Sequence, residues 1–237
     1  LGAWAISGKD EDCVSLLDAC KTKEITFVYE SGLKESEAAS GVPESVPAGA
    51  EQACVPESVP AGAEQAGMTA AGADPVDRAA ISRMAEECDV LIAALGETKD
   101  MSGEAASRAS ITLPEEQLAL LRALKETGKP VVTLLFNGRP LAVPEVDALS
   151  DAVLEAWQPG VEAGNALLDV LYGEANPSGK LTTTFPHTTG QCPMYYAHIN
   201  TGRPGGRGKF TSKYLDTPLT PLYPFGYGLS YTTYEYA

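Results

Sequence analysis

The sequence predicts an α/β protein, a three-layer sandwich with a mostly parallel sheet of about six strands and helices on both faces. Two observations carry this. Short runs that are almost wholly apolar, VLIAAL at 90–95 and VVTLLF at 131–136, have the length and composition of strands buried on both faces, as parallel sheets require. They alternate with longer segments of helical periodicity closed by glycine or proline, the pattern of β–α–β winding. With 237 residues, 44% of them hydrophobic, the chain can bury one large core. Residues 1–237 are therefore read as a single domain.

In chain order, 13–20 reads as a helix with Val14, Leu16 and Leu17 in one apolar patch, and 25–29 as a strand of β-branched and aromatic residues. A segment of low propensity runs from 30 to 73. Inside it VPESVPAGAEQA occurs at 42–53 and again at 55–66, separated by Cys54. Two copies are too few for a solenoid and the prolines forbid a continuous helix, so 30–73 is read as a repeat-containing loop insertion. Lengthening a surface loop costs little.

Asp74 is placed to cap the next helix, with Pro75 at its first position and Val76, Ala80, Ile81, Met84 and Cys88 as its buried stripe. After the strand at 90–95 and a long loop, Thr112 and Glu115 stand at capping-box spacing. They predict a helix to about residue 127 with Leu118, Leu121 and Leu124 inward, ended by Gly128 and Pro130. The strand at 131–136 leaves through the turn NGRP, 137–140. A short helix at 143–149 follows, then a strand at 153–157 carrying Glu155 and a helix at 161–172. NPSG at 176–179 has the residue order of a type I turn and feeds a last strand at 181–185. From 186 to 237 the composition shifts to Tyr, Pro and Gly, and most of the tyrosines lie here. That stretch is read as an aromatic-rich C-terminal wrap.

The formal net charge of −15 argues against nucleic acid or anionic membrane as partners, since phosphates are bound by clustered Lys and Arg. No run of apolar residues is long enough for a membrane span and no signal peptide is visible. The compartment stays open between cytoplasmic and periplasmic or secreted. Cys13, Cys20, Cys54, Cys88 and Cys192 are odd in number and contain no CxxC pair, so neither a zinc site nor a disulfide framework follows. His187 and His198 are the only histidines, which disfavours a histidine triad or metal centre. The glycines at 202, 205, 206 and 208 follow no strand and open no helix, so they make no phosphate loop. GLSYT at 228–232 lacks the last glycine of a nucleophile elbow. No cofactor is implied.

The most informative stretch is GETKDMSGEAASRASITL, 96–113. It leaves the carboxyl end of a strand, where open α/β sheets meet their ligands, and it is far longer than most such connections. It holds three carboxylates, Glu97, Asp100 and Glu104. Glu97, directly after the strand, reads as a structural acceptor for loop amides. Asp100 reads equally as a solvated charge or as a residue lining the substrate's leaving-group side. Glu104 is the candidate for chemistry.

DVLIAALGETKDMSGEAASR, NGRPLAV, WQPGVEAGNALLDVLYGEANPSGKLTTTFP and LYPFGYGLSYT occur in this order. Together they resemble the C-terminal α/β sandwich domain of glycoside hydrolase family 3, in particular bacterial β-glucosidases of the periplasmic type. The resemblance implies a retaining, exo-acting β-glycosidase whose substrate is a β-glucoside or short β-linked oligosaccharide. It implies a TIM-like barrel with an aspartate nucleophile as the domain's partner, Glu104 as the acid/base and Arg108 as the supporting basic residue. Against the family's whole pattern the barrel is absent from these 237 residues. A first strand is expected just upstream of Leu1, and no fibronectin-like domain follows Ala237. The expectation is thus a fragment inactive on its own. The alternative is a scaffold module that completes a carbohydrate site without performing chemistry.

Overall fold

The computed structural model describes residues 12–34, the backbone of 52–54, and residues 74–203, 205–206 and 208–236. Five strands, β1 (Thr26–Val28), β2 (Gln52–Cys54), β3 (Val90–Gly96), β4 (Val131–Phe136) and β5 (Ala152–Glu155), form one sheet in the order β1-β2-β3-β4-β5. Every pairing is parallel. Among the described residues the five α-helices are α1 (Leu16–Thr22), α2 (Arg78–Glu87), α3 (Glu115–Glu126), α4 (Pro144–Leu149) and α5 (Ala163–Leu171).

Side chains alternate across the sheet, and the two faces are covered by different helices. Leu91, Ala93 and Leu95 of β3 pack with Val131 and Leu135 of β4 against Ile81 and Met84 of α2 and Leu120, Leu121 and Leu124 of α3. Ile92 and Leu134 point the other way, toward Leu167 of α5 with Leu16 and Leu17 of α1 packed alongside. The crossovers α2, α3 and α4 thus share one face, as right-handed connections between successive neighbouring strands require. The first and last helices close the opposite face. They meet through Val14, whose amide donates to the Val161 carbonyl (2.7 Å) and whose carbonyl accepts from Gly164 (2.9 Å).

Among the described residues the sheet has five strands; against the strands expected within the chain it gains one at Gln52–Cys54 and lacks the one at 181–185. That segment forms no sheet strand. It pairs antiparallel with the C-terminal stretch through a Phe185–Tyr223 bridge, with Leu181 donating to the Tyr227 carbonyl (2.8 Å) and Leu222 to the Phe185 carbonyl (2.9 Å). Its β-branched residues found a strand-like partner in the tail, where Trp157, Phe185 and Tyr223 make ring contacts with centroids 5.7 and 5.9 Å apart. In the segment expected to be loop throughout, Gln52–Cys54 forms β2. The rest of the duplicated stretch lies outside the described residues.

Three local expectations also shift. The cap of α2 is Asp77, which accepts from the Ala80 amide (3.0 Å), whereas Asp74 accepts from Val76 and pairs with Arg78. The Thr112–Glu115 box does not form; α3 begins after Pro114 with no side-chain cap, and Glu115 is drawn to Arg122. The buried stripe of α3 is Gln117, Leu120, Leu121, Ala123 and Leu124, with Leu118 only half-buried. Cys88 ends α2 inside the core, as its apolar character suggests, but it is engaged in a disulfide; Cys20 and Cys192 are free thiols. No described helix is long and apolar enough to cross a membrane.

Candidate active site

The loop that leaves β3 begins at a backbone held from two sides. Gly96 has φ +155°, and a Cβ there would lie 1.8 Å from the Phe136 carbonyl oxygen of β4, so only glycine fits between the two strands. The buried Gln117 side chain of α3 then pairs with it reciprocally, Oε1 accepting from the Gly96 amide (2.9 Å) and Nε2 donating to its carbonyl (3.0 Å). A lone polar residue in an apolar stripe is therefore a fixed anchor for the start of the loop.

Glu97 is the next anchor. Its side chain is 1% exposed and takes charge from two guanidinium groups. Arg108 Nη1 donates to Oε1 at 2.9 Å, and Arg139 Nε stands 3.0 Å from the same oxygen without hydrogen-bond alignment. Oε2 accepts from the Gly138 amide (3.2 Å). Glu97 is thus the structural acceptor the sequence suggests, although the amide it holds belongs to the neighbouring turn. Arg108 also donates to the Thr112 carbonyl (2.9 Å). Its hydrogen bonds go to these two groups and none reaches Glu104.

Above this network the chain turns at 101–106. Ser102 is buried, and a Cβ on Gly138 would lie 2.0 Å from its Oγ, so any larger residue in the turn after β4 would have to displace that hydroxyl. Arg139 Nη2 donates to the carbonyls of Met101 (2.7 Å) and Ala106 (2.8 Å). Ala105 sits at φ +60°, a conformation a non-glycine residue keeps only when its surroundings hold it there. Glu104 stands exposed at the tip, with no hydrogen bond or ion pair to any described residue. Asp100 is likewise exposed, in the turn closed by the Met101 amide on the Thr98 carbonyl (3.0 Å). A cleft of ≈ 300 Å³ beside the tip is lined by Ser102, Ala105, Ser107, Gly138 and Arg139.

The third strand exit contributes Glu155, which the sequence placed on a strand without assigning it a role. It lies in the row of Val153 and Trp157, facing the main core. Burial pushes its carboxyl up to about 7, partly offset by the Trp157 amide, which donates to Oε1 at 3.0 Å, and by the nearby Asn137 side chain. Asn137 Nδ2 is committed to the Arg139 carbonyl (2.7 Å), and Glu155 Oε2 keeps no partner. A carboxyl whose folded value lies above the unfolded 4.5 binds its proton more tightly in the native state. Stability therefore falls as pH rises from about 4.5 to about 7 and is level above that window. Urea unfolding of Glu155→Gln is expected to remove that slope and to give a more stable protein than the parent at pH 8, with little difference at pH 4.5.

His187 lines a separate cleft of ≈ 310 Å³ with Ser110, Thr112 and Glu145, and His198 is exposed near Tyr195. Among the described residues no group of His, Cys, Asp and Glu is arranged to hold a metal ion.

The loop with Asp100 and Glu104 exposed on it belongs to a chain with recognisable relatives. The family model described as the glycosyl hydrolase family 3 C-terminal domain matches residues 2–231, and the chain belongs to that family. It is 54% identical over 153 residues to a periplasmic β-glucosidase of Salmonella typhimurium, covering 63% of this chain and 20% of that protein. It is 40% identical over 152 residues to a β-xylosidase of Formosa agariphila, covering 64% of this chain and 20% of that protein. Among solved structures, the β-glucosidase of Listeria innocua in complex with gluconolactone superposes with a TM-score of 0.77 at 37% identity. That match covers 99% of this chain and 28% of the other. The chain thus spans about a fifth of the length of the curated relatives it matches.

Proposed function

We propose that this chain is the acid/base-bearing domain of a retaining, exo-acting β-glycosidase, a β-glucosidase that releases terminal non-reducing β-D-glucosyl residues. Glu104 is the proton donor. The observation that supports this is its setting: of the three carboxylates on the loop, Glu97 is consumed by arginines, while Glu104 is unpaired at the tip of a turn fixed on both sides. Glucose is favoured over xylose by the higher identity to a β-glucosidase than to a β-xylosidase.

In a retaining glycosidase one carboxylate attacks the anomeric carbon while a second carboxyl group, about 5 to 5.5 Å away, protonates the departing oxygen. The second group then draws a proton from the water that releases the sugar. In this reading Glu104 serves both of those steps, Arg108 holds the loop through Glu97, and Asp100 faces the leaving-group side. The nucleophile belongs to a barrel in the remainder of the polypeptide, and the 237 residues alone turn over no glycoside. The alternative, a module that completes a site without chemistry, predicts no dependence of product chemistry on Glu104.

The identity of a rescued product tests the reading. With azide present, the complete polypeptide carrying Glu104→Gln is expected to convert an activated aryl β-glucoside to β-glucosyl azide. Azide enters the trapped glycosyl-enzyme from the face that Glu104 would have served. Formation of the α-azide, or of none, in an otherwise active variant defeats the assignment.

A further inference from the structure

Arg139 belongs to the turn that leaves β4, yet its guanidinium reaches across to the loop after β3. Nη2 bonds both Met101 and Ala106 carbonyls, three residues before Glu104 and two after it. The turn's own backbone supplies only an Ala106 amide to Gly103 carbonyl bond at 3.3 Å, and Ala105 is held at φ +60°. The conformation that presents Glu104 is therefore closed from outside, by one side chain spanning its two flanks.

We infer that Arg139 is a positioning residue for the proton-transfer steps, setting the carboxyl of Glu104 by fastening the loop on both sides. This rests on the reading of Glu104 as acid/base. A competing role, neutralising Glu97, is already served by Arg108, whose hydrogen bond to that carboxylate is aligned where that of Arg139 is not. The two roles separate chemically. Lysine keeps the positive charge near Glu97, but as a point charge on a flexible stem it cannot reproduce the planar fork that spans two carbonyls. Displacement of a catalytic group by about 1 Å can cost on the order of 100-fold in rate.

The test is a double-mutant cycle in the complete polypeptide with Arg139→Lys, Glu104→Gln and their combination, read at a temperature where circular dichroism shows each folded. Arg139→Lys is expected to slow disaccharide hydrolysis and release of the glycosyl-enzyme by roughly 10- to 100-fold. kcat/KM for an activated aryl glucoside, which reports glycosylation, should be little changed, and azide should recover the slow release. In the Glu104→Gln background the same substitution should change each rate less than about two-fold, because the group it positions is gone. Independent, multiplicative losses, or a loss confined to KM, would overturn the inference. So would an unchanged Arg139→Lys rate alongside a Glu104→Gln variant that shows azide rescue. If Glu104→Gln itself shows neither leaving-group dependence nor rescue, the acid/base reading fails and the inference with it. Should the lysine variant not fold, Arg139→Gln, which retains donors for one carbonyl, takes its place in the same cycle.

Discussion

Glu104→Gln in the complete polypeptide is expected to reduce hydrolysis of natural β-linked disaccharides by on the order of 10²- to 10⁴-fold, the range for losing a general acid. The size of the loss depends on what departs. A sugar alkoxide is a poor leaving group and must be protonated as its bond breaks, whereas a nitrophenolate leaves unaided. Glycosylation by an activated aryl glucoside should therefore fall far less. Release of the enzyme-bound sugar still needs a base to activate water, so a burst of nitrophenol followed by slow turnover is the expected trace. Azide, which needs no base, should accelerate the slow phase. Equal losses on both substrates, with no burst and no azide effect, would move the role to Asp100, the other loop carboxylate without a partner among the described residues.

Removing Glu97 acts on the fold. Its carboxylate is 1% exposed and sits between two guanidinium groups that are themselves only 21% and 22% exposed. Glu97→Ala strands two positive charges in poorly solvated surroundings and leaves the Gly138 amide without an acceptor. Breaking such a buried arrangement from one side costs roughly 3 to 5 kcal/mol. For a chain of this size that corresponds to a fall in Tm of roughly 6 to 20 °C. Thermal unfolding of the 237-residue chain measures it. A fall of under about 2 °C would mean that the arginines find other partners or water, and that the loop is not held through this carboxylate.

Much of this site is visible in the residues alone, and the division has a physical reason. Strands β3 and β4 are buried on both faces, so their apolar runs mark them, and the position and length of the loop between β3 and α3 single out its three carboxylates. What sequence does not reveal is which cation reaches which anion. Arg108 is four residues from Glu104 yet bonds Glu97, and Arg139 reads only as part of a turn. The first is decided by how the loop folds back on itself; the second depends on β3 and β4 lying side by side, a contact between residues over thirty positions apart. Gln117 was hidden for a related reason: helical periodicity reports where side chains face, not that a strand's end will offer an amide and a carbonyl to the one that is polar. β2 was missed because it is only three residues long, at the end of one proline-rich copy and the cysteine after it, too short to carry periodicity, and 181–185 met the tail instead of the sheet.

The sheet runs β1 to β5 in strictly sequential order, and this bears on what the edge can do. In doubly wound folds the order reverses part-way, so adjacent loops diverge to opposite faces and open a crevice where a ligand can sink. Here the described strands wind in one sense only, and the loops that leave β3, β4 and β5 follow one another along one edge like the teeth of a comb. Such an edge offers reach but no enclosure. A carboxyl group mounted on the tooth after β3 is suited to being inserted, ready-shaped, into a cavity whose walls belong to something else.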